Sequence, residues 1–431
     1  MKAQRQLMYP ITRKELVAPH TLVAVFNDIR NTLAGSSNGT TLDQALVNQL
    51  VDVLACKIFD ELETPASDPV RFQRHPGESV DDVARRIGDL FSAVKQSSDL
   101  ARLFSDESLS LDPDMLVYVV EKLQCLDLTN ASRDAIGEAF EVFIGPSIRG
   151  SEGQFFTPRN VVDLACQIVN PKEGELVLDP ACGTGGFLLQ ALRCSGTDTH
   201  PRLIGVDKDE FLARIAGIQL LLASRSSRAA VFCSDSLHTS GWSSGLNRAL
   251  PPGTVDVIIT NPPFGAKISV RRDVLHSYSL ARKWSRDRAA ETWHMQDAIV
   301  ENRPPQILFI EHCLNMLRPG GRAAIVVPDG ILGNESQGYV RHYIRSVADL
   351  VAIIDLPLET FMPSTSTKTS LLVLRKKNSI VQDRVFMAIP RQCGHDRRGK
   401  TIRNADGQLK DDLPQIAQNF REWSASNAHD F

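Results

Sequence analysis

Between residues 176 and 376 the chain repeats one pattern: a short apolar run, a turn, then a stretch with helical periodicity. The runs are "LVLD" (176–179), "LIGVD" (203–207), "AVF" (230–232), "VDVIIT" (255–260), "AAIVVP" (323–328), "LVAIIDL" (350–356) and "SLLVLRK" (370–376). Continuous short runs of Val, Ile and Leu suit strands buried on both faces. Strands that alternate with helices pair in parallel and are covered by those helices. The expected fold class is α/β, a doubly wound, mostly parallel sheet. Ligands of such sheets lie beyond the carboxyl ends of the strands, at the point where strand order reverses.

The first 145 residues have a different texture. Leu46, Leu50, Leu54, Ile58 and Leu62 recur at four-residue spacing, with Val47, Val51 and Phe59 beside them, which is the stripe of an amphipathic helix. Thr41 and Gln44 fit a capping box at its start. Val83, Ile87, Leu90, Phe91 and Val94 repeat the stripe after Ser79 and Asp82, and residues 115–126 and 134–144 add two more helical stretches. The expectation is an α-helical amino-terminal domain over 1–145, serving either as a docking or DNA-enclosing module or as plain structural support. The boundary falls in the Gly-, Ser- and Pro-rich "GPSIRGSEGQFFTP", which places the sheet domain at 146–376. Residues 377–431, mixed and without a long strand, read as a carboxyl-terminal tail available for subunit contact.

Charge and cysteine usage narrow the function classes. The formal net charge is −3, whereas a domain that grips nucleic acid unaided is more often distinctly basic. If DNA is the substrate, another component supplies part of the grip. The eight cysteines are scattered without a CxxC pair, so reduced thiols and no metal site are expected. No apolar run is long enough to span a membrane, and the amino terminus has no signal-peptide core. A cytoplasmic protein without membrane partners is the expectation.

Two loops carry the chemistry. In "LVLDPACGTGGFLLQAL" a strand, a glycine loop and a helix follow one another, and Gly183, Gly185 and Gly186 let the backbone turn and approach a ligand closely. As a dinucleotide fingerprint it fails, because the third glycine place holds Leu188 and the strand ends in Asp179, which would repel a pyrophosphate. These two residues disfavour a dehydrogenase. A carboxylate suits a cofactor with a cationic end, such as S-adenosylmethionine. Asp207 ends the next strand 21 residues after Gly186, near the spacing at which an acid takes ribose hydroxyls, and Asp235 after the third run is placed to accept an adenine amino group.

The fourth run ends in Asn261, Pro262, Pro263 and Phe264. Prolines cannot continue a central strand, so the strand stops near Thr260 and a stiff loop follows. If strands one and four are neighbours, this loop and the glycine loop open into the same crevice. An amine conjugated to a ring is a poor nucleophile until its nitrogen turns pyramidal. The Asn261 side-chain oxygen and the Pro262 carbonyl offer two fixed acceptors for its hydrogens, and rigid prolines hold them without reorganisation. Phe264 offers a ring for a base to stack on.

The motifs "DPACGTGGF" and "NPPFG", preceded by "GQFFTP", resemble those of amino-type DNA methyltransferases that modify adenine N6. The order of motifs is that of the γ class, and the whole is similar to the modification subunit of Type I restriction–modification systems. The resemblance implies a Rossmann-like methyltransferase sheet with S-adenosylmethionine as cofactor. Thr157 and Pro158 would border that cofactor, with Phe155 or Phe156 lining its pocket. Asp179, Gly183 and Gly185 would hold its methionine end, Asp207 its ribose and Asp235 its adenine. Asn261 to Phe264 would be the catalytic loop, and Phe361 the late aromatic against the flipped target base. The implied partners are double-stranded DNA, a specificity subunit that reads sequence, and a second modification subunit; whether a restriction subunit belongs is left open. The short stretch after the last strand points the same way, being small for a reader of base edges.

The cationic segment after the catalytic loop, with Arg271, Arg272, Arg282, Lys283 and Arg286, is a candidate for phosphate contact or simply a solvated loop. Trp284 and Trp293 are either a wedge or core, and His294 reads as structural. Three alternatives stay open at this point: methylation of a protein glutamine amide, N4-methylation of cytosine, and a cofactor-binding scaffold without activity.

Overall fold

All seven apolar runs form strands of one sheet. The computed structural model describes residues 10–36, 44–97, 100–104, 108–131, 156–194, 201–224, 229–265, 270–378 and 384–426. The expected cap residue Thr41, the helical stretch 134–144 and Phe155 lie outside them. The chain divides into two compact units, Met1–Pro146 with Glu210–Ser227, and Ser147–Asp209 with Arg228–Phe431.

The first stretch of the helical unit contains α1 (Val23–Ser36), α2 (Gln44–Glu63), α3 (Val80–Gln96) and α4 (Pro113–Leu123). The predicted stripe of α3 is buried in full, and Ser79 caps it by accepting from the Asp82 amide. Helix α1 was missed by periodicity, although Leu22, Phe26, Ile29 and Leu33 form its buried seam. In the second unit, α5 (Arg159–Val169) precedes β1 (Leu176–Asp179), and α6 (Gly186–Cys194) precedes β2 (Arg202–Asp207). The chain then leaves this unit for α7 (Glu210–Ser224), which belongs to the helical unit. There the Arg214 guanidinium, 1% exposed, meets Asp52 at 3.3 Å and Glu210 at 2.6 Å and lies 5.2 Å from the centre of the Phe104 ring. A continuous sheet domain over 146–376 is therefore not what forms; one of its helices is built into the other unit.

The remaining strands are β3 (Ala229–Cys233), β4 (Val255–Thr260), β5 (Arg282–Asp287), β6 (Thr292–Ile299), β7 (Leu317–Pro328), β8 (Ala348–Asp355), β9 (Thr369–Lys376) and β10 (Phe386–Ala388). The remaining longer helices of this unit are α8 (Pro305–Met316), α9 (Gly338–Val347) and α10 (Leu413–Ser426), with short ones at Ser244–Ala249, Arg272–Leu275 and Gly330–Gly333. The main sheet has eight strands in the order β10-β8-β9-β7-β4-β1-β2-β3, and β5 and β6 form a separate hairpin. Its pairings are parallel except at β9, which runs against both β7 and β8. The reason is the connection. Residues 356–368 carry one short 3-10 turn, Leu358–Phe361, and no crossover helix, so the chain returns antiparallel. One apolar core joins Leu178, Ile258, Ile325 and Leu372 of the strands to Leu308, Leu314, Val340 and Ile344 of α8 and α9.

The segment expected to be a carboxyl-terminal tail available for subunit contact contributes to this unit. Strand β10 pairs in parallel with β8, and Phe386 packs on Phe420 and Trp423 of α10 at centroid distances of 5.4 and 5.7 Å. The Asn160 side-chain amide also donates to the Cys393 carbonyl and to Asp411 at 3.1 and 3.0 Å.

Candidate active site

Strand order reverses between β1 and β4, which are paired, so the loops after these two strands emerge side by side. Gly183 (φ +52°) and Gly185 (φ +87°) hold the first loop in a left-handed turn that a side chain would strain. The loop is pinned from β2. Cys182 N–H donates to the Val206 carbonyl at 3.1 Å, and Gly183 N–H donates to Asp207 Oδ2 at 2.8 Å. The other Asp207 oxygen accepts from Asp209 N–H at 2.9 Å, and each oxygen keeps a free lone pair. Burial pushes the Asp207 carboxyl up to about 6.

Asp179 stands at the end of β1, 1% exposed. Its Oδ1 accepts from Ala181 N–H at 3.1 Å, while its buried Oδ2 makes no well-formed hydrogen bond among the described residues, the Thr260 hydroxyl beside the carboxyl offering a weak one at most. Burial pushes this carboxyl up to about 7. A buried acid with an unmet oxygen fits a ligand that brings a donor, and a cationic one best, because pairing offsets the cost of the desolvated charge. Asp235 is exposed after β3, with one oxygen accepting from Leu237 N–H at 2.9 Å.

Gly205 on β2 is a site residue that sequence reasoning missed. A Cβ there would meet Cys182 Sγ and Leu188 Cδ1, each at 2.9 Å. The third glycine of a dinucleotide loop lets helix and strand pack closely. Here Leu188 fills that place and the strand supplies the glycine. A glycine inside an otherwise branched strand was the available signal.

The second loop follows β4. The Asn261 Nδ2 donates to Thr157 Oγ1 at 3.1 Å, and its Oδ1 is buried without a hydrogen-bond partner among the described residues. Pro262 is buried and Pro263 half-buried. Phe264 and Phe361 are both buried and meet edge to face, with ring centroids 6.4 Å apart and planes at 89°. Two aromatics nearly a hundred residues apart in sequence thus share one wall. Thr157 and Pro158 lead into α5, and Phe156 is 38% exposed.

The cationic candidates divide. Arg271 is paired with Asp273 at 2.7 Å, Arg286 with Glu335 at 2.5 Å, and Arg282 lies 3.8 Å from Asp297. Arg272 and Lys283 are exposed, with no ion pair among the described residues. Trp284 and Trp293 anchor the hairpin on the core. Their rings lie 6.1 and 6.0 Å from Tyr339, and the Trp293 indole occupies the space over Gly338, where a Cβ would come within 2.8 Å of it. His294 is exposed and contacts Thr292 Oγ1 at 3.2 Å. Among the described residues no cluster of three or more His, Cys, Asp or Glu could hold a metal ion, and no helix is long and apolar enough to cross a membrane.

Comparison with known proteins shows the family. The chain is similar to the EcoEI Type I restriction enzyme methylase subunit of Escherichia coli, 28% identical over 277 residues that make up 61% of this chain and 51% of that protein. It is likewise similar to the StySJI Type I restriction enzyme methylase subunit of Salmonella typhimurium, 28% identical over 369 residues, 77% of this chain and 63% of that protein. The chain thus spans about half to just under two-thirds of these relatives' lengths. A Type I restriction-modification methyltransferase subunit from Streptococcus thermophilus shares the fold, with a TM-score of 0.62 at 17% identity over 96% of this chain and 94% of that one. The sequence pattern of the N-6 DNA Methylase family matches residues 131–431, and the chain belongs to that family.

Proposed function

We propose that this chain transfers a methyl group from S-adenosylmethionine to the N6 amine of adenine in double-stranded DNA, as the modification subunit of a multi-subunit restriction–modification complex. The observation that carries this reading is the Asn261 side-chain oxygen, buried and unpaired among the described residues at the end of the strand next to the one that bears the glycine loop. An unmet acceptor in that place has a role only when a donor arrives, and a ring-bound amine brings two hydrogens. Drawing on those hydrogens, Asn261 and the Pro262 carbonyl localise the nitrogen lone pair for attack. The bound cofactor supplies an electrophilic methyl group, activated by its positive sulfur. Asp179 and the backbone at Gly183 and Gly185 hold its cationic end, Asp207 its ribose hydroxyls and Asp235 its adenine amine. Thr157 and Pro158, with Phe155 or Phe156, border that pocket. Phe264 and Phe361 wall the place into which the target base flips.

The relatives are methylase subunits of Type I restriction enzymes, which supports a specificity subunit and a second modification subunit as partners. The net charge of −3 fits the same division of labour. Of the cationic residues, Arg272 and Lys283 are best placed for phosphate contact, since Arg271, Arg282 and Arg286 already face acids.

The test pairs two substitutions. Asn261→Ala keeps cofactor affinity within about twofold and lowers transfer by about 100-fold or more, whereas Asp179→Ala loses cofactor binding. Calorimetry with S-adenosylmethionine and single-molecule sequencing of DNA for N6-methyladenine read the two effects. Wild-type affinity and methylation in both variants would overturn the site.

A further inference from the structure

We infer that Thr157 is a positioning residue of the catalytic loop, whose hydroxyl holds the Asn261 carboxamide with its oxygen left to face the incoming amine. This deepens the proposed amine methylation and rests on that reading.

A carboxamide looks almost the same after a half-turn about its last bond, but the two ends are opposite in kind. One end accepts, and the other donates twice. For Asn261 to hold an amine, the accepting end must point at it. In the structure the donating end is engaged, with Nδ2 on Thr157 Oγ1 at 3.1 Å, and the accepting end is buried and unpaired among the described residues. The reversed amide would put both Nδ2 hydrogens in that buried place with no acceptor. Orphaned buried N–H groups are rarer than under-satisfied carbonyls, and an NH₂ facing an amine sets donor against donor. A threonine hydroxyl can serve either end, so the cost of orphaning the NH₂ decides between the two nearly isosteric states, and the Thr157 contact holds the carboxamide in the one that results.

Thr157 is itself fixed. The Pro158 carbonyl accepts from the amides of Val161 and Val162, each at 3.0 Å, and so begins α5. That helix buries Val161, Leu164, Ala165 and Ile168. Beyond its other end Arg322 of β7 holds the Asn170 carbonyl at 2.9 Å and Glu175 at 2.7 Å. Thr157 thus stands two residues ahead of a helix that Asn160 ties near its start to Cys393 and Asp411 and Arg322 ties beyond its end, and an acceptor held so suits preorganised catalysis. A threonine that only bordered the cofactor would have no need to meet Asn261.

The experiment uses the full chain expressed with its partner subunits, as Thr157→Val and Thr157→Ser. Valine keeps the shape and removes the hydroxyl; serine keeps the hydroxyl. Thr157→Val is expected to lower the single-turnover methylation rate at saturating S-adenosylmethionine by about 10- to 100-fold, with cofactor affinity within about twofold, and serine to restore the rate to within about threefold. The side-chain amide protons of Asn261, followed by NMR in protein labelled with ¹⁵N-asparagine, exchange faster in the valine variant and as in wild type in the serine variant. Wild-type rate and exchange in Thr157→Val would overturn the inference, as would a rate loss matched by an equal loss of cofactor affinity. Absence of N6-methyladenine with the wild-type complex would instead overturn the proposed function, and amide exchange would still decide the role of Thr157.

Discussion

Asp179 and Asp207 make the site sensitive to pH. Burial raises both carboxyls from the ordinary 3.8, to about 7 and about 6. A raised carboxyl favours the neutral form in the folded state, so its contribution to stability is full below about pH 4 and is lost as pH rises through about 7. Without cofactor, Asp179→Asn should melt several degrees above wild type at pH 8, with the gap closing towards pH 4 in thermal denaturation. Pairing with a cationic ligand needs the charged carboxylate. Affinity for S-adenosylmethionine should therefore rise with pH up to about 7 and then level off, with a proton released on binding below that point. Calorimetry in buffers of different ionisation enthalpy counts that proton, and a flat profile would remove Asp179 from the cationic end. The roles proposed for Asp179 and Asn261 were legible in sequence because each stands where a strand ends, at the ligand-bearing edge of such a sheet. The bond between Thr157 and Asn261 was not, since it joins two side chains 104 positions apart that only the sheet brings together.

At the scale of elements, helix α6 and strand β2 meet through a glycine on the strand instead of one on the helix. Gly205→Ala should push Cys182 and Leu188 and with them the glycine loop. The expected cost is about 1–3 kcal/mol of stability, with weaker cofactor binding, as overpacking of a tight contact requires. Urea denaturation and cofactor titration check both, and unchanged values would show that the loop yields freely. The strands were readable because each is a continuous apolar run bounded by turns. The direction of β9 was not, because it depends on what residues 356–368 lack, a crossover helix. Helix α10 escaped notice although Leu413, Ile416, Ala417 and Phe420 carry a helical stripe, since the irregular segment before it masks the periodicity. The irregular stretch itself is held by isolated bridges such as Cys393 with Asp411 and Arg403 with Leu409, pairings too short to leave a pattern in sequence.

For the whole molecule, a near-neutral charge would make the proposed DNA binding depend on a few cations, such as Arg272 and Lys283, that have no ion pair among the described residues. Replacing Arg272 and Lys283 together by alanine should reduce the slope of log affinity against log salt for the assembled complex by roughly 2, about 0.9 for each phosphate that is no longer neutralised. Replacing Arg271 and Arg286 should change it less, because Asp273 and Glu335 already oppose them. A fluorescence-anisotropy series in salt distinguishes the pairs, and equal slopes would discard the assignment. The division into a helical and a sheet part was readable from the change of pattern near residue 146, but the excursion of α7 was not, because its own periodicity is that of any crossover helix. That excursion sets an order of events during synthesis. The helical unit is encoded in two pieces, and when Pro146 leaves the ribosome the chain still lacks Glu210–Ser227. Until residues 210–227 are made, the buried ion pair of Arg214 with Asp52 and the packing of α7 are missing from the unit. A fragment ending at Pro146 should therefore be digested by proteases more readily than the full chain, as expected if the amino-terminal part is completed only after the first strands of the following sheet have been translated.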